Sequence, residues 1–331
     1  MLKDKLQGAV RTMRQRIRRC WESANRVHLI TGENTTMLFI EVVYSWFRYG
    51  ASDEDFLTME FYRKNSREKK RWLTSRKNNR YLYRTVYDDL ARETFDNKEI
   101  FDKTFKSFLK HDFLILSEST EERIKEFIQK YGTVIVKPAG GACGMGVFKL
   151  SVSNESGFND VISRVKSGEK LIMEEVIEQH PEMALMNPTS VNTIRVITML
   201  DKAGDPHVIY QCAKFGASSE CISNTLGGGV CCHIDAESGI LDTFGKDMHG
   251  ERIFKHPVSG LVIPGFQIPN WNGVLNYAKS LAKNVPSARY IGWDIVILKN
   301  GYDVIEGNLH PCQDFQGCDG IGRWEEIKKL I

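Results

Sequence analysis

The sequence lacks any apolar run that would span a lipid bilayer. Its longest apolar stretch, MLFIEVVYSWF from Met37, is too short for this and carries Glu41. The N-terminal stretch MLKDKLQGAVRTMRQRIRRCW has no apolar core of the kind found in signal peptides, so we expect no export by that route. Eight cysteines without such a signal are typical of reduced thiols. A cytoplasmic location is therefore expected.

Zinc-ribbon spacing, low-complexity segments and internal repeats are missing as well. Neither Cys231-Cys232 nor the pair Cys312 and Cys318 has the spacing of structural zinc ligands. Only nine of the 331 residues are proline, and 42% hydrophobic with 26% charged residues is a globular composition. A chain of this length can form two or three domains with substantial cores.

Positive charge is concentrated at the start of the chain, although the net charge is only +3. Residues 1–80 contain 18 Lys and Arg against nine Asp and Glu, whereas the remaining residues contain 27 against 33. The clusters lie in Arg11–Arg26 and Arg63–Arg80. Each single charge is interpreted first as part of a solvated helix face. The clustering is also compatible with a polyanionic partner such as nucleic acid, a membrane surface or an acidic polymer.

The pattern of apolar residues predicts a helical first part followed by an α+β part. The first 110 residues read as helical, with a capping box at Ser52–Asp55. Thr120 and Gly132 have the positions of residues that begin and end a helix. Further helices are predicted at about 154–166, 271–284 and 323–330. The intervening segments rich in β-branched residues predict strands: TVIVK, VFKL, KLIMEEVI, NTIRVITML, PHVIYQCAKF, GVCCHI, RYIGWDIVIL and YDVIEG.

The stretch VIVKPAGGACGMGVFKL, Val134 to Leu150, joins a lysine to a glycine-rich loop. A predicted strand leaves the loop, whereas in a P-loop a lysine follows the glycines and a helix begins. The spacing is not that of a dinucleotide fold either. We interpret the segment as a hairpin whose backbone N–H groups close over phosphates, with the Lys137 ammonium on the same phosphates. A plain glycine-rich turn is the alternative.

A second candidate is MEEVI, Met173 to Ile177, where an apolar strand ends in two acidic residues. Such a segment is interpreted as an interdomain hinge whose backbone meets the edge of an adenine. The alternative is a half-buried strand with a solvated end.

The stretch GWDIVILKNGYDVIEGN, Gly292 to Asn308, predicts a hairpin that carries a metal site. A three-residue loop with glycine in the left-handed position places Leu298 opposite Tyr302, and therefore Asp294 opposite Glu306. Two carboxylates roughly 5 Å apart repel each other unless a cation lies between them. Magnesium prefers such oxygen ligands, and Asn308 is expected on the same face. A two-residue Asn-Gly turn would instead oppose Asp294 to Gly307.

Together these motifs resemble the ATP-grasp superfamily. The resemblance is carried by Asp102-Lys103, by the VKP lysine with its glycine loop, by EEVI, and by the Asp…Glu-x-Asn set. The sugar-transfer-associated, teichuronopeptide-type branch is the closer match. The segments that indicate it are NPTSVNTIRVITM, SNTLGGGV, YIGWDI, FYRKNSREKKRWLT and FDKTFKSFLKHDF.

The resemblance implies an ATP-grasp fold, in which two α+β lobes hold ATP between antiparallel sheets. It divides the chain into a helical basic region at 1–110, a small lobe at 111–178 and a large catalytic lobe at 179–331. It further implies ATP-dependent ligation of a carboxylate to an amine through an acyl phosphate, with ATP and Mg²⁺ as cofactors.

The implied site residues fall into groups by role. Lys103 and Lys137 contact ATP phosphates, and the phosphate lid contains Gly141, Gly144 and Gly146. The adenine is framed by Glu174, Glu175, Val176 and Ile177. Magnesium is held by Asp294, Glu306 and Asn308. Arg195 neutralises the transferred phosphoryl group, and Lys214, Asn224 and Gly227–Gly229 lie on the acceptor side. Three residues compete for the ribose: Glu178, His180 and Glu182.

The expected partners are an amine, such as an amino acid, and a carboxylate, for which the resemblance implies a uronic acid of a cell-surface polysaccharide. No nucleic-acid recognition motif is present, so nucleic acid is not expected. Peripheral contact of the basic region with a membrane surface is compatible with the charge. Two alternatives stay open: a peptide or natural-product ligase on a small acid, and a non-catalytic nucleotide-binding regulator.

Overall fold

The computed structural model describes residues 2–84, 86–140, 145–217, 229–247 and 250–331, with side chains from residue 13 onward. The chain forms two compact units. One contains Met1–Thr85 together with Cys312–Ile331, and the other contains Val86–Pro311. The C-terminal twenty residues therefore belong with the N-terminal helices. The three-part division expected from the sequence groups them instead with the large lobe.

The helices follow one another in chain order and are named α1–α13: Leu2–Thr31, Thr35–Tyr49, Asp53–Thr58, Ser66–Lys70, Ser75–Lys77, Asp89–Asp96, Lys98–Thr104, Glu121–Tyr131, Glu155–Lys166, Pro181–Ala184, Trp271–Asn284, Gln316–Asp319 and Trp324–Leu330. Shorter or irregular helical turns occupy Phe61–Arg63, Asn78–Tyr83, Leu116–Glu118 and Gln313–Phe315. Among the described residues, none of these helices has the length and apolar character needed to cross a bilayer.

The first unit is helical, as the sequence predicts. The capping box at the start of α3 is present, because Ser52 accepts from the Asp55 amide and Asp55 accepts from the Ser52 amide. The core of this unit packs aromatic rings edge to face, with Phe61 between Tyr49 and Trp72. These rings are almost fully buried, and burial of such large apolar side chains is the main stabilising term of a small helical unit.

The strands are named β1–β11 in chain order: Phe113–Ile115, Thr133–Pro138, Phe148–Ser151, Leu171–Glu175, Thr193–Leu200, Pro206–Phe215, Val230–His233, Gly245–Lys246, Arg252–Ile253, Tyr290–Leu298 and Gly301–Asn308. They form a four-stranded sheet of order β1-β4-β2-β3 and a seven-stranded sheet of order β11-β10-β5-β6-β7-β8-β9. Every described strand pair in both sheets is antiparallel. The expectation of an α+β fold on antiparallel sheets is confirmed.

The β10–β11 hairpin reaches the predicted register by a different route. The loop has two residues, Lys299 and Asn300, and Leu298 pairs with Gly301 rather than with Tyr302. Gly301 adopts a positive φ of 111°, which explains glycine there. A β-bulge between Asp294 and Ile295 then shifts the register by one residue, so that Asp294 lies opposite Glu306. The pairing is confirmed, whereas the predicted three-residue loop is wrong.

Gly322 provides a test of how the C-terminal segment packs in the first unit. A Cβ added there would lie 2.6 Å from the Arg71 carbonyl carbon and 2.8 Å from the Trp72 nitrogen. Backbone atoms cannot move aside as a side chain can, so we expect Gly322→Ala to lower the free energy of unfolding by about 1–3 kcal/mol. Thermal denaturation of Gly140→Ala is the control, because no residue that the structure describes lies within 4 Å of that added Cβ. Equal melting temperatures for the two variants would contradict the packing.

Candidate active site

One row of residues crosses five strands of the seven-stranded sheet. Glu306 of β11 lies opposite Asp294 of β10, and Asp294 lies opposite Arg195 of β5. The row continues from Arg195 to Cys212 of β6 and His233 of β7. Residues directly opposite one another in a sheet present their side chains on the same face. The fold therefore gathers side chains that are far apart in the sequence, and strand order places Arg195 beside the carboxylate hairpin.

Arg195 and Asp294 form a buried bidentate ion pair. Arg195 Nε donates to Asp294 Oδ1 at 2.6 Å and Nη2 donates to Oδ2 at 2.7 Å. Lys214 Nζ donates to Oδ2 at 3.0 Å. Burial alone would raise the pKa of Asp294, but the charges of Arg195 and Lys214 hold that pKa well below its usual range. One carboxylate is thus shared by two cations, which leaves positive charge where a phosphoryl group could be stabilised.

Glu306 and Asn308 complete the set of oxygen ligands on the hairpin. Asn308 Nδ2 donates to Glu306 Oε1 at 3.2 Å, so the two side chains share a face as predicted. Burial, and then the charge of Asp294, raise the pKa of Glu306. A divalent cation would relieve that repulsion, and two carboxylates with an amide oxygen suit magnesium. The donor set therefore fits Mg²⁺, which Asp294, Glu306 and Asn308 would hold.

Among the residues that the structure describes, no three or more His, Cys, Asp or Glu side chains come together as metal ligands. A magnesium ion at the hairpin would thus take the Asn308 amide and substrate oxygens as further ligands, which is the usual way that this ion is bound. The metal assignment stays a prediction.

Lys137 lies on β2 of the four-stranded sheet and is almost fully buried. Its Nζ forms an ion pair with Glu174 and lies 3.9 Å from Asp102 Oδ2. Burial would lower the pKa of Lys137, but the charges of Glu174 and Asp102 raise it, so the ammonium is charged. Glu306 of the other sheet also acts on this lysine. Lys137 therefore interacts electrostatically with the predicted metal ligand Glu306, as expected of a phosphate-binding lysine.

The segment expected to frame an adenine leaves β4 at Glu175. The Glu174 side chain points to Lys137, and Glu175 accepts from the Asp112 amide through Oε2. Val176 and Ile177 lie outside the strand and are half-buried. Two of the ribose candidates have other local roles or surroundings. His180 caps α10 by accepting from the Glu182 amide, and Glu178 is exposed.

Lys103 lies at the exposed surface, where its ammonium donates to Glu118 at 2.6 Å. Its neighbour Asp102 is buried and approaches Lys137 instead. A different lysine, Lys98 at the start of α7, has Lys137, Glu306, Glu174 and Asp102 as its electrostatic neighbours. Burial lowers the pKa of Lys98, followed by the like charge of Lys137. The sequence gives no motif for Lys98, since the Asp102-Lys103 pair indicates a lysine five positions further along the chain.

Part of the glycine loop and of the acceptor motif lies outside the described residues: Gly141, Gly144, Asn224, Gly227 and Gly228. Gly146 is described and has a positive φ of 77°. A Cβ added to Gly146 would lie 2.9 Å from Pro138 Cγ, so this end of the loop packs closely on the end of β2.

The NPTSVN motif forms a buried amide network that shapes the backbone. Asn192 Nδ2 donates to the carbonyls of Met183 and Asn187 at 2.8 and 3.0 Å. Asn187 Nδ2 donates to the Gly216 carbonyl at 2.7 Å, directly after β6. These contacts fix the backbone that precedes β5 and the backbone that follows β6, the strands that carry Arg195 and Lys214. The motif therefore stabilises the positions of these two strands.

The two antiparallel sheets, with a buried lysine on the smaller one and an arginine–carboxylate row on the larger one, agree with the ATP-grasp class of fold that the sequence predicts. Within this class, the chain belongs to the sugar-transfer associated ATP-grasp family, whose profile matches residues 69–329. The match covers more than three quarters of the chain and confirms both the predicted superfamily and the predicted branch. ATP with Mg²⁺ is the ligand pair expected for this class. No curated protein matches the chain significantly.

Solved structures of ATP-grasp enzymes resemble the chain only distantly. ATP-grasp ligase PsnB, solved with a precursor variant, Mg and ADP, is 18% identical over 71% of this chain and 60% of its own, with a TM-score of 0.42. D-alanyl-alanine synthetase A from Vibrio cholerae is 12% identical over 71% of this chain and 60% of its own, also with a TM-score of 0.42. The chain thus spans about three fifths of the length of these proteins.

Glu306→Gln tests whether the hairpin carboxylates are arranged for a cation. A group whose folded-state pKa is raised opposes folding when it is ionised, so the neutral variant should fold at least as well as wild type without metal. Magnesium with ATP should raise the melting temperature of the wild type by mass action and raise that of the variant much less. Thermal denaturation with and without Mg-ATP measures both effects.

Asn308→Ala should show a milder form of the same defect, because a neutral oxygen ligand contributes less than a carboxylate. A Glu306→Gln variant that is destabilised without metal, yet gains as much from Mg-ATP as the wild type, would show that the carboxylate pair is structural.

Proposed function

We propose that the protein is an ATP-dependent carboxylate–amine ligase that works through an acyl phosphate. The proposal is carried by the buried row in which Arg195 and Lys214 share Asp294 beside Glu306. Buried ion pairs contribute little net stability compared with apolar packing, so two cations and two carboxylates in a sheet core are better explained by ligand binding. Family membership and the buried Lys137 support the same reading.

The proposed reaction has two steps. A carboxylate oxygen attacks the γ-phosphorus of ATP, the bond from that phosphorus to the bridging oxygen breaks, and ADP leaves. An amine nitrogen then attacks the acyl carbon, phosphate leaves with the electrons of the broken C–O bond, and the nitrogen loses a proton. Magnesium would supply charge neutralisation between the phosphate oxygens when bound.

Each cation has a proposed place in these steps. Arg195 presents a guanidinium whose charge stabilises the phosphoryl group during transfer, and its orientation is fixed by the two hydrogen bonds to Asp294. Lys137 binds nucleotide phosphates from the other sheet. Lys214 lies on the acceptor side of Arg195, one strand further into the sheet. We assign Lys98 to the nucleotide phosphates as well, in place of Lys103.

A uronic acid of a cell-surface polysaccharide or its precursor is the proposed carboxylate, and an amino acid or similar amine is the proposed nucleophile. The support is the description of the family as sugar-transfer associated together with the basic first 80 residues. A ligase for peptides or other small acids would use the same site. We disfavour a non-catalytic nucleotide-binding regulator, because such a protein has no need of the Arg195–Lys214 pair.

ADP release measured over a matrix of amino acids and uronic acids tests the activity. Lys137→Met and Arg195→Met should each lower kcat by roughly 10²–10³, the usual effect of removing one preorganised charge-stabilising group. Each of these lysine and arginine side chains is buried, so circular dichroism and melting curves must show that the variants are folded. ADP release at the wild-type rate from a folded Lys137→Met protein would remove the nucleotide role of this lysine.

Only some of the basic side chains in the segment Arg63–Arg80 are exposed, where a polymer would bind. Lys69 is buried and donates to Glu41 at 2.5 Å, and Lys77 donates to the carbonyls of Lys70 and Trp72. Burial lowers the pKa of Lys77 to about 8. The side chains of Arg67, Lys70 and Arg80 are exposed. We propose that these exposed charges recruit a polyanionic acceptor, and that Lys69 and Lys77 stabilise the helical unit.

Replacing Arg67, Lys70 and Arg80 together by glutamate should raise KM for an acidic polysaccharide far more than KM for the monosaccharide. The difference should shrink with added salt, because exposed charges are screened within about 10 Å at 0.1 M. Reversal of three other exposed lysines, Lys106, Lys202 and Lys283, is the matched control for net charge. If both triple variants affect the two acceptors alike, the segment is an ordinary solvated surface.

A further inference from the structure

A buried carboxylate on the hairpin, Asp303, holds the segment that precedes β1. Asp303 is fully buried, and its Oδ2 accepts from the His111 amide at 3.0 Å. Its Oδ1 accepts from the amides of Lys110 and Val304 at 3.2 and 2.9 Å. The His111 ring nitrogen Nδ1 lies 2.8 Å from the same Oδ2. Backbone and imidazole are therefore fixed by one carboxylate.

The other side of the His111 ring faces the carboxylate that binds Lys137. His111 Nε2 lies 3.5 Å from Glu174 Oε1, and the same oxygen is the partner of Lys137 Nζ. His111, Glu174 and Lys137 are all less than a tenth exposed. A continuous series of buried charges thus runs from Asp303 on the large sheet through His111 and Glu174 to Lys137 on the small sheet.

The charges in this series determine whether Lys137 presents a net positive charge to a nucleotide phosphate. If Glu174 had only Lys137 as its partner, the two would cancel, and a nucleotide phosphate would meet a neutral pair. Burial lowers the pKa of His111, but the hydrogen bond to Asp303 and the nearby Glu174 carboxylate outweigh it and raise the pKa to about 10. His111 is therefore an imidazolium at neutral pH, and Glu174 is balanced by a second cation.

Asp102, a further acidic neighbour of Lys137 besides Glu174 and Glu306, offsets its charge only in part. Burial raises the pKa of Asp102 to about 7, so a substantial fraction of this carboxyl is protonated near neutral pH. Among the described residues, neither of its oxygens has a hydrogen-bond partner. How much positive charge Lys137 presents to a ligand therefore depends chiefly on whether His111 neutralises Glu174.

We propose that His111 is a positioning residue for nucleotide binding: held by Asp303, its imidazolium neutralises Glu174 and leaves the charge of Lys137 available to a nucleotide phosphate. The inference deepens the proposed function and rests on the part of it that assigns Lys137 to ATP. His111 itself acts through Glu174 and touches no reacting atom.

Titration of the full chain with ATP and Mg²⁺, followed by calorimetry, tests the proposal without knowledge of the carboxylate or the amine. His111→Gln keeps a hydrogen-bond donor beside Glu174 but carries no charge. We expect the Kd for ATP to rise roughly tenfold to a hundredfold, because one positive charge near the phosphates is lost. His207→Gln is the matched control, since His207 forms a surface pair with Asp201 at 2.9 Å, and its Kd should equal that of the wild type.

The double variant His111→Gln with Glu174→Gln separates a charge effect from a structural one. Removing the negative charge that His111 balanced should restore the Kd for ATP to within about threefold of that of Glu174→Gln alone. A purely structural role of His111 would leave the double variant as weak as His111→Gln, or weaker. That result, or an unchanged Kd in His111→Gln, would overturn the proposal.

The wild-type protein provides a measurement that does not depend on the folding of a variant. The ¹⁵N shifts of the His111 ring should show both nitrogens protonated and unchanged from pH 6 to about 9. A neutral His111 ring at pH 8 would also overturn the proposal. Failure of the wild type to bind ATP would instead refute the proposed function, so the two failures are distinguishable.

Discussion

Asp294 is ionised in the interior of the seven-stranded sheet, and the site is arranged around the need to balance that charge. A buried carboxylate is tolerated only if it is paired and hydrogen-bonded, and Asp294 meets this requirement through Arg195 on the neighbouring strand β5 and Lys214 on β6, one strand further. The pairing fixes the guanidinium in one orientation. Because Glu306 faces the same carboxylate, any change at Asp294 alters the cations and the predicted metal ligands together.

The small sheet meets the same constraint with a longer series of charges. Lys137 is balanced by Glu174, Glu174 by His111, and His111 by Asp303 of β11, the strand that also carries Glu306. The two sheets are therefore joined by buried ion pairs close to the groups proposed to bind the nucleotide. Buried ion pairs of this kind contribute little net stability compared with apolar packing. Their presence in the core is better explained by ligand binding than by stability.

The β10–β11 hairpin shows why a correct prediction can rest on an incorrect reason. The sequence indicates a three-residue loop, Lys299 to Gly301, with the two carboxylates at equal distances from it, which predicts that they face each other. The actual turn is one residue shorter, and the bulge beside Asp294 restores the pairing. A bulge depends on how the strand bends against β5 on its other edge, and local residue preferences do not encode that contact.

Most of the helices and strands, the lysine before the glycine loop and the family were determined by the sequence, because they depend on local periodicity, caps and short motifs. Sequence patterns did not identify Lys98, His111 or Asp303, and they gave no indication that the NPTSVN motif is a support for the sheet. The roles proposed for these residues depend on contacts between segments up to about two hundred positions apart. Only the tertiary structure could decide them, since the charge state of a buried group is set by all its neighbours in space and not by its neighbours in the chain.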